Sequence, residues 1–204
     1  KKITSIFLVA ILYGCGSSVS PVDQGLIDQV MHIGNGSEPQ GLDPHVVTGV
    51  PEHHLLITMC EGLTISNPEG GANLPGMAES WEISEDGKTY IFNIRKDAKW
   101  SNGDDFVADD MVWSWMRVLT PSLGSQYPDM LYYVEGAEDF NTGVISDFSE
   151  VGVKAIDDKT LEVKLNNPTP FFLGLLSHYS TWPVHKETVL EFGEIDDRQG
   201  LWTR

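Results

Sequence analysis

Cysteine is scarce in this chain, with Cys15 and Cys60 the only two among 204 residues. A disulfide-stapled mini-protein is thereby excluded. No Cys-x-x-Cys pair or Cys/His cluster has zinc-site spacing, so no metal is expected. Positive charge is also scarce: 13 Lys and Arg stand against 30 Asp and Glu, a formal net charge of -17. A surface of that sign repels phosphate backbones, which argues against a nucleic-acid partner and otherwise reads as a solvated face. Long apolar runs are missing too, since Ile3 to Leu12 is short and interrupted by Thr4 and Ser5. Such a run is too brief for a stable membrane span. Catalytic signatures are absent: the chain has no G-x-S-x-G elbow, no P-loop and no H-E-x-x-H. The 6 His residues are scattered, and His53-His54, being adjacent, point to different sides of a helix. No enzyme activity and no cofactor are expected. Cys60 reads as a small buried hydrophobe.

What is present is an ordinary globular body behind an address. Hydrophobic residues are 41% and charged residues 21%, and the length suffices for one good core or two small ones. Lys1-Lys2 followed by the apolar run to Leu12 suits a secretory signal. Leu12-Tyr13-Gly14-Cys15 resembles a bacterial lipobox, although Tyr13 is bulkier than usual, so Cys15 is the expected lipidation site. An ordinary secretory signal with an incidental Cys is the alternative. Gly16-Ser17-Ser18-Val19-Ser20-Pro21 is small and polar, as a flexible tether would be. These features imply residence in the periplasm or at the cell surface, held to the membrane by a lipid anchor only.

The remainder mixes helices and hairpins. Gln29 to Gly34 reads as a first strand, and the Gly/Asn/Pro-rich stretch to Pro44 as a loop. Pro51-Glu52 opens a helix carrying Leu55, Leu56 and Met59 on an apolar face. Trp81 and Ile83 alternate before Ser84-Glu85-Asp86-Gly87, and Tyr90, Phe92 and Ile94 alternate after it, a hairpin signature. A second hairpin is expected from Val151, Val153 and Ala155 through Asp157-Asp158-Lys159 to Leu161, Val163 and Leu165. Between them Met111, Val112, Trp115, Val118 and Leu119 form a helical stripe, with Trp113 off it. Asp104-Asp105 or Asp109 is the expected cap, and Thr120-Pro121 the stop. A last helix is expected from His185 to Phe192, closed by Gly193. The Trp residues read as core.

Several blocks carry a family resemblance. They are Gly36-Ser37-Glu38-Pro39-Gln40-Gly41-Leu42-Asp43-Pro44-His45, Gly49-Val50-Pro51-Glu52, Glu61-Gly62-Leu63 and Ala78-Glu79-Ser80-Trp81. The most specific runs from Tyr90-Ile91-Phe92-Asn93-Ile94-Arg95 to Trp100-Ser101-Asn102-Gly103. Val112-Trp113-Ser114-Trp115, Gly152 to Val163, Pro168-Thr169-Pro170-Phe171-Phe172 and Ser177-His178-Tyr179 extend it. Together they resemble the extracellular solute-binding proteins of family 5, the oligopeptide and murein-peptide receptors of ABC importers. The resemblance spans about residues 30 to 195.

The resemblance implies a mixed α/β fold: a type II periplasmic-binding-protein lobe with an inserted α+β domain. It implies a signal with lipobox at 1–15, a tether at 16–25 and the start of lobe one at 26–62. The added domain would span 63–180, and 181–204 would return into lobe one. The second lobe, with the acidic residue that pairs with a peptide α-amino group, would be missing. Since such receptors bind by closing two lobes, a one-lobed chain is expected to hold peptide at most very weakly. The implied partners are an oligopeptide and the permease subunits of the importer, with the receptor itself a monomer. The implied contacts are the loop Thr48-Gly49-Val50 on peptide backbone, with Val50 in a strand-like role, and Tyr127 and His178 in a pocket or at a terminal carboxylate. The family often has an acidic residue where Thr48 stands. The same scaffold specialised for a cell-wall peptide, a nickel complex or a sugar is the alternative.

Overall fold

The structure is a computed structural model and describes residues 19–203. The signal, the lipobox and Cys15 lie outside the described residues. The chain divides into two compact units, 1–36 and 37–204. The first holds helix α1 (Pro21–Asp28), which starts within the expected tether of 16–25 and runs past its end. Its start has a local cause: Ser20 Oγ accepts from the Asp23 N–H at 3.1 Å, and Pro21 supplies a ready-set φ at the first helical position. The strand expected at Gln29–Gly34 does not form, and Val30, Met31 and Ile33 lie exposed in irregular backbone. A strand is stable only when paired, and among the described residues none pairs with this segment.

The second unit begins with an irregular loop and helix α2 (Val50–Met59). The expected helix is therefore present, but its apolar face is not a core face. Only Leu56 and Glu52 are buried, while Val50, Ile57 and Met59 are exposed. A short ladder follows, β1 (Thr64–Ile65) with β2 (Leu74–Pro75). Then come the first long hairpin, β3 (Ala78–Ile83) and β4 (Thr89–Ile94), and helix α3 (Ala108–Leu119). Short helix α4 (Ala137–Asn141) leads to the second hairpin, β5 (Val153–Asp157) and β6 (Thr160–Lys164). Helices α5 (Phe172–Leu175) and α6 (Lys186–Phe192) complete the unit.

The two hairpins form one antiparallel sheet in the order β3-β4-β6-β5. Period-two alternation sets its register. Tyr90 stands opposite Val163 and Phe92 opposite Leu161, so the inward faces of the central strands pair large apolar side chains. At the edges Val153 faces Val163, and Trp81 faces Phe92. Ile83, at the far end of edge strand β3, is left exposed. The first turn closes at Gly87, whose φ of 70° is the left-handed conformation that only Gly adopts without strain.

Helix α3 buries Met111, Trp115, Val118 and Leu119 in the same core as the sheet, with Phe106, Leu131, Val134 and Phe172 filling around them. Trp113, off that stripe, is buried in a second cluster with Val184 and Val189. The helix thus has two apolar faces, since α6 and the chain before it cover the back. Its start is satisfied differently from the expectation. Neither Asp104-Asp105 nor Asp109 caps it. The Asp158 carbonyl accepts from the Ala108 N–H at 2.9 Å, and Asp110 reaches back to the Val107 N–H at 2.9 Å. The turn of the second hairpin, tied further by Lys159 Nζ on the Phe106 carbonyl at 2.6 Å, therefore supplies part of the cap.

This packing predicts a sharp contrast within one hairpin. Phe92→Ala should cost about 3–5 kcal/mol, because that ring is fully buried at the centre of the sheet. Ile83→Ala, four-tenths or more exposed, should stay within roughly 1 kcal/mol. Urea midpoints of the two variants check this, and equal losses would contradict the assigned register.

Candidate functional site

The loop before α2 buries little aliphatic surface beyond Val47 against Leu56, Tyr179 and Trp182, so hydrogen bonds do much of its fixing. Asp43 begins the fixing. Its Oδ1 accepts from the His45 N–H at 3.0 Å, and its carbonyl accepts from the Val46 and Val47 N–H groups at 3.1 Å each. The same carboxylate meets Arg117 of α3 in a two-pronged pair, Nη1 to Oδ1 at 3.0 Å and Nη2 to Oδ2 at 2.6 Å. Both side chains are essentially buried. Arg117 spends its remaining Nη hydrogens on His45 Nδ1 at 3.1 Å and the Asp197 carbonyl at 3.2 Å. The Trp202 ring lies over the guanidinium, 5.7 Å from Cζ, and its Nε1–H points to Asp43 Oδ2 at 3.4 Å. Of the guanidinium nitrogens, Arg117 Nε is buried without a partner.

The protonation states follow from this accounting. Arg117 can only donate, so His45 Nδ1 accepts and the neutral ring carries its proton on Nε2, which donates to the Trp182 carbonyl at 2.9 Å. Burial, then the Arg117 charge, pushes the His45 pKa from 6.5 down to about 4, against the opposing pulls of Asp43 and the Trp182 carbonyl. Burial alone would raise the Asp43 carboxyl. The Arg117 hydrogen bonds and charge outweigh it and hold Asp43 below the usual carboxylate range.

Beside this network the structure gathers most of the residues singled out in the sequence. Tyr127 and His178 meet edge to face, ring centroids 5.1 Å apart. Tyr179 stacks on His178 at 4.3 Å and lies 5.6 Å from His53. The tyrosines hold the loop by its carbonyls: Tyr179 OH donates to Val47 O at 3.2 Å, and Tyr127 OH approaches Thr48 O at 3.5 Å. His178 Nδ1 accepts from the Ser180 N–H at 3.3 Å and faces Ser180 Oγ at 2.8 Å, capping the turn Tyr179–Thr181. Burial, then the His53 charge, lowers the His178 pKa, with Asp129 opposing.

Thr48 and Gly49 line a cavity of about 700 Å³ with Gln40, Asp43, Glu52 and Arg198. Val50, Tyr127 and His178 do not line it. Val50 is the first residue of α2 rather than a strand residue, because Pro51 presets helical φ after the extended Gly49. Its side chain is exposed. Sequence reasoning missed Asp43, His45 and Arg117. The available signal was Arg117, the one basic residue inside an otherwise acidic and apolar helix. Cys60 is half-buried and unpaired. Among the described residues no helix is long and apolar enough to cross a membrane.

A family model described as bacterial extracellular solute-binding proteins, family 5 Middle, matches residues 74–201. The chain is 42% identical over 192 residues to the periplasmic oligopeptide-binding protein OppA of Escherichia coli K12, covering 92% of this chain and 35% of that protein. It is 43% identical over 157 residues to the oligopeptide-binding protein OppA of Bacillus subtilis 168, covering 77% and 28%. Among solved structures, Haemophilus influenzae OppA in complex with RPPGFSPFR matches with a TM-score of 0.75 at 41% identity, covering 83% of this chain and 32% of that one. The murein tripeptide-binding protein MppA in its unliganded open form matches with a TM-score of 0.71 at 33% identity, covering 76% and 30%. The chain thus spans about a third of the length of these relatives.

The buried imidazole predicts a pH dependence of stability. A His whose folded pKa lies below its unfolded value takes up its proton on unfolding, so its contribution is complete above pH 6.5 and is lost as pH falls toward 4. A shift of that size corresponds to about 3 kcal/mol. Asp43 adds a further loss in more acid solution. His45→Gln keeps an acceptor and a donor but does not titrate. Urea midpoints from pH 7.5 to 4 should fall more steeply for the wild type than for this variant, by roughly that amount. Parallel slopes would contradict the assignment.

Proposed function

The chain belongs to the bacterial extracellular solute-binding proteins of family 5, and from that premise we propose that it is part of an extracytoplasmic receptor that delivers oligopeptides to an ABC importer. The observation that carries the reading is the loop 40–49, whose shape is fixed by bonds to its own backbone and which borders a polar cavity. Peptides of any sequence share the same N–H and C=O groups, and a receptor indifferent to side chains must take its affinity from those. A rigid, backbone-rich wall suits that task, with water filling the space around variable side chains. Thr48 and Gly49, which border the cavity, are the candidates for backbone contact, with Val50 next to them at the start of α2. Tyr127 and His178 serve at one remove, by shaping the loop or by meeting a polar end group. The similarity to receptors named for oligopeptides supports the ligand class.

In this reading the protein is not an enzyme. It is a monomer, held at the membrane by lipid on Cys15, and its protein partners are the permease subunits of the importer. The second reading, a cell-wall peptide as ligand, rests on the similarity to MppA. Native mass spectrometry of the full-length protein purified from cells separates the two. Co-purifying peptides of mixed sequence are expected, whereas one discrete ligand would reject the oligopeptide reading.

A further inference from the structure

We propose that Glu52 is the positioning residue that clamps the two ends of the ligand loop together, an inference that rests on the receptor reading above. A Glu at the third position of a helix ordinarily lies in solvent near the positive helix start, or reaches back to the capping N–H. Glu52 does neither in the usual way. It is only 4% exposed. Its Oε1 accepts from the N–H of Gln40, twelve residues earlier, at 2.6 Å. A buried carboxylate is costly unless its charge is met. Among the described residues no Lys or Arg pairs with it, so the backbone N–H carries that part.

The other oxygen faces the far end of the loop. A Cβ placed on Gly49 would come within 1.9 Å of Glu52 Oε2. The Gly49 φ of -87° is open to any residue, so a side chain there would displace the Glu52 carboxylate and not strain the backbone. One carboxylate therefore touches both Gln40 and Gly49, and Gln40, Thr48, Gly49 and Glu52 all border the 700 Å³ cavity. Between these ends the Tyr179 hydroxyl holds the Val47 carbonyl. A loop held at its ends and its middle offers a ligand a preset backbone, which removes the ordering cost from binding.

The test uses the full-length protein as wild type, Glu52→Ala, Glu52→Gln, Gly49→Ala and the Gly49→Ala/Glu52→Ala pair. Hydrogen exchange of residues 39–49 is followed without ligand, and affinity is measured for a pool of two- to five-residue peptides. Glu52→Ala and Gly49→Ala should each speed loop exchange and weaken peptide binding by about tenfold or more, and the pair should be no worse than Glu52→Ala alone. Glu52→Gln keeps a carbonyl acceptor for Gln40 and should stay within about threefold of wild type. Unchanged loop exchange in Glu52→Ala, or faster exchange with unchanged affinity, would overturn the proposal. Wild-type protein that binds no peptide would defeat the receptor reading, and loop exchange alone would then decide the clamp.

Discussion

The two-pronged pair between Asp43 and Arg117 is the constraint on which the site depends. It joins the loop before α2 to the middle of α3, and through the other Arg117 hydrogens it draws in His45 and the Asp197 carbonyl. His45 passes the connection to the Trp182 carbonyl. One guanidinium thus joins three stretches of chain, at 43–45, 117 and 197, and His45 adds a fourth at 182. Burying two charges costs several kcal/mol per ion before pairing, on the order of what a good paired geometry returns. The network is therefore better understood as a device for placing polar backbone than as a source of net stability.

Two kinds of construction meet in the second unit. The sheet and α3 are held by apolar packing, with Phe92, Trp115, Leu161 and Val163 fully enclosed. The loop 39–49 has no comparable apolar content and is fixed group by group, by Asp43, Glu52, Tyr179 and their backbone partners. A ligand surface made of backbone needs that second kind. In the proposed role, large side chains would fill the space that a bound peptide would take, and free polar groups would have to be ordered on each binding event.

This division explains what was legible in the sequence. The hairpins and α3 repeat with period two or 3.6, so their registers and turns could be read from Tyr90, Phe92 and Ile94 or from Leu161 and Val163 alone. The clustering of Tyr127 with His178 was reachable only through family resemblance. Arg117 and Asp43 lie 74 residues apart, and no local pattern links a buried charge to its partner. The same holds for Glu52, which reads as an ordinary acidic helix start until its bond to Gln40 is seen. Residues 29–34 show the reverse case: Val30, Met31 and Ile33 make a short apolar run that reads as a strand, but strand structure belongs to a pair and not to a sequence. Helix α1 overlaps the expected tether at 21–25, because the local Ser20-Pro21 start signal acts where the composition before it is small and polar.

The most direct test of the account is a double-mutant cycle on the buried pair, with Asp43→Leu, Arg117→Met and both together compared by urea unfolding at pH 7. Each single change strands a buried charge and should cost about 3–5 kcal/mol. The double change leaves neither charge and should cost far less than the sum. Single losses that are small, or that add without coupling, would contradict the claim that this pair fixes the loop.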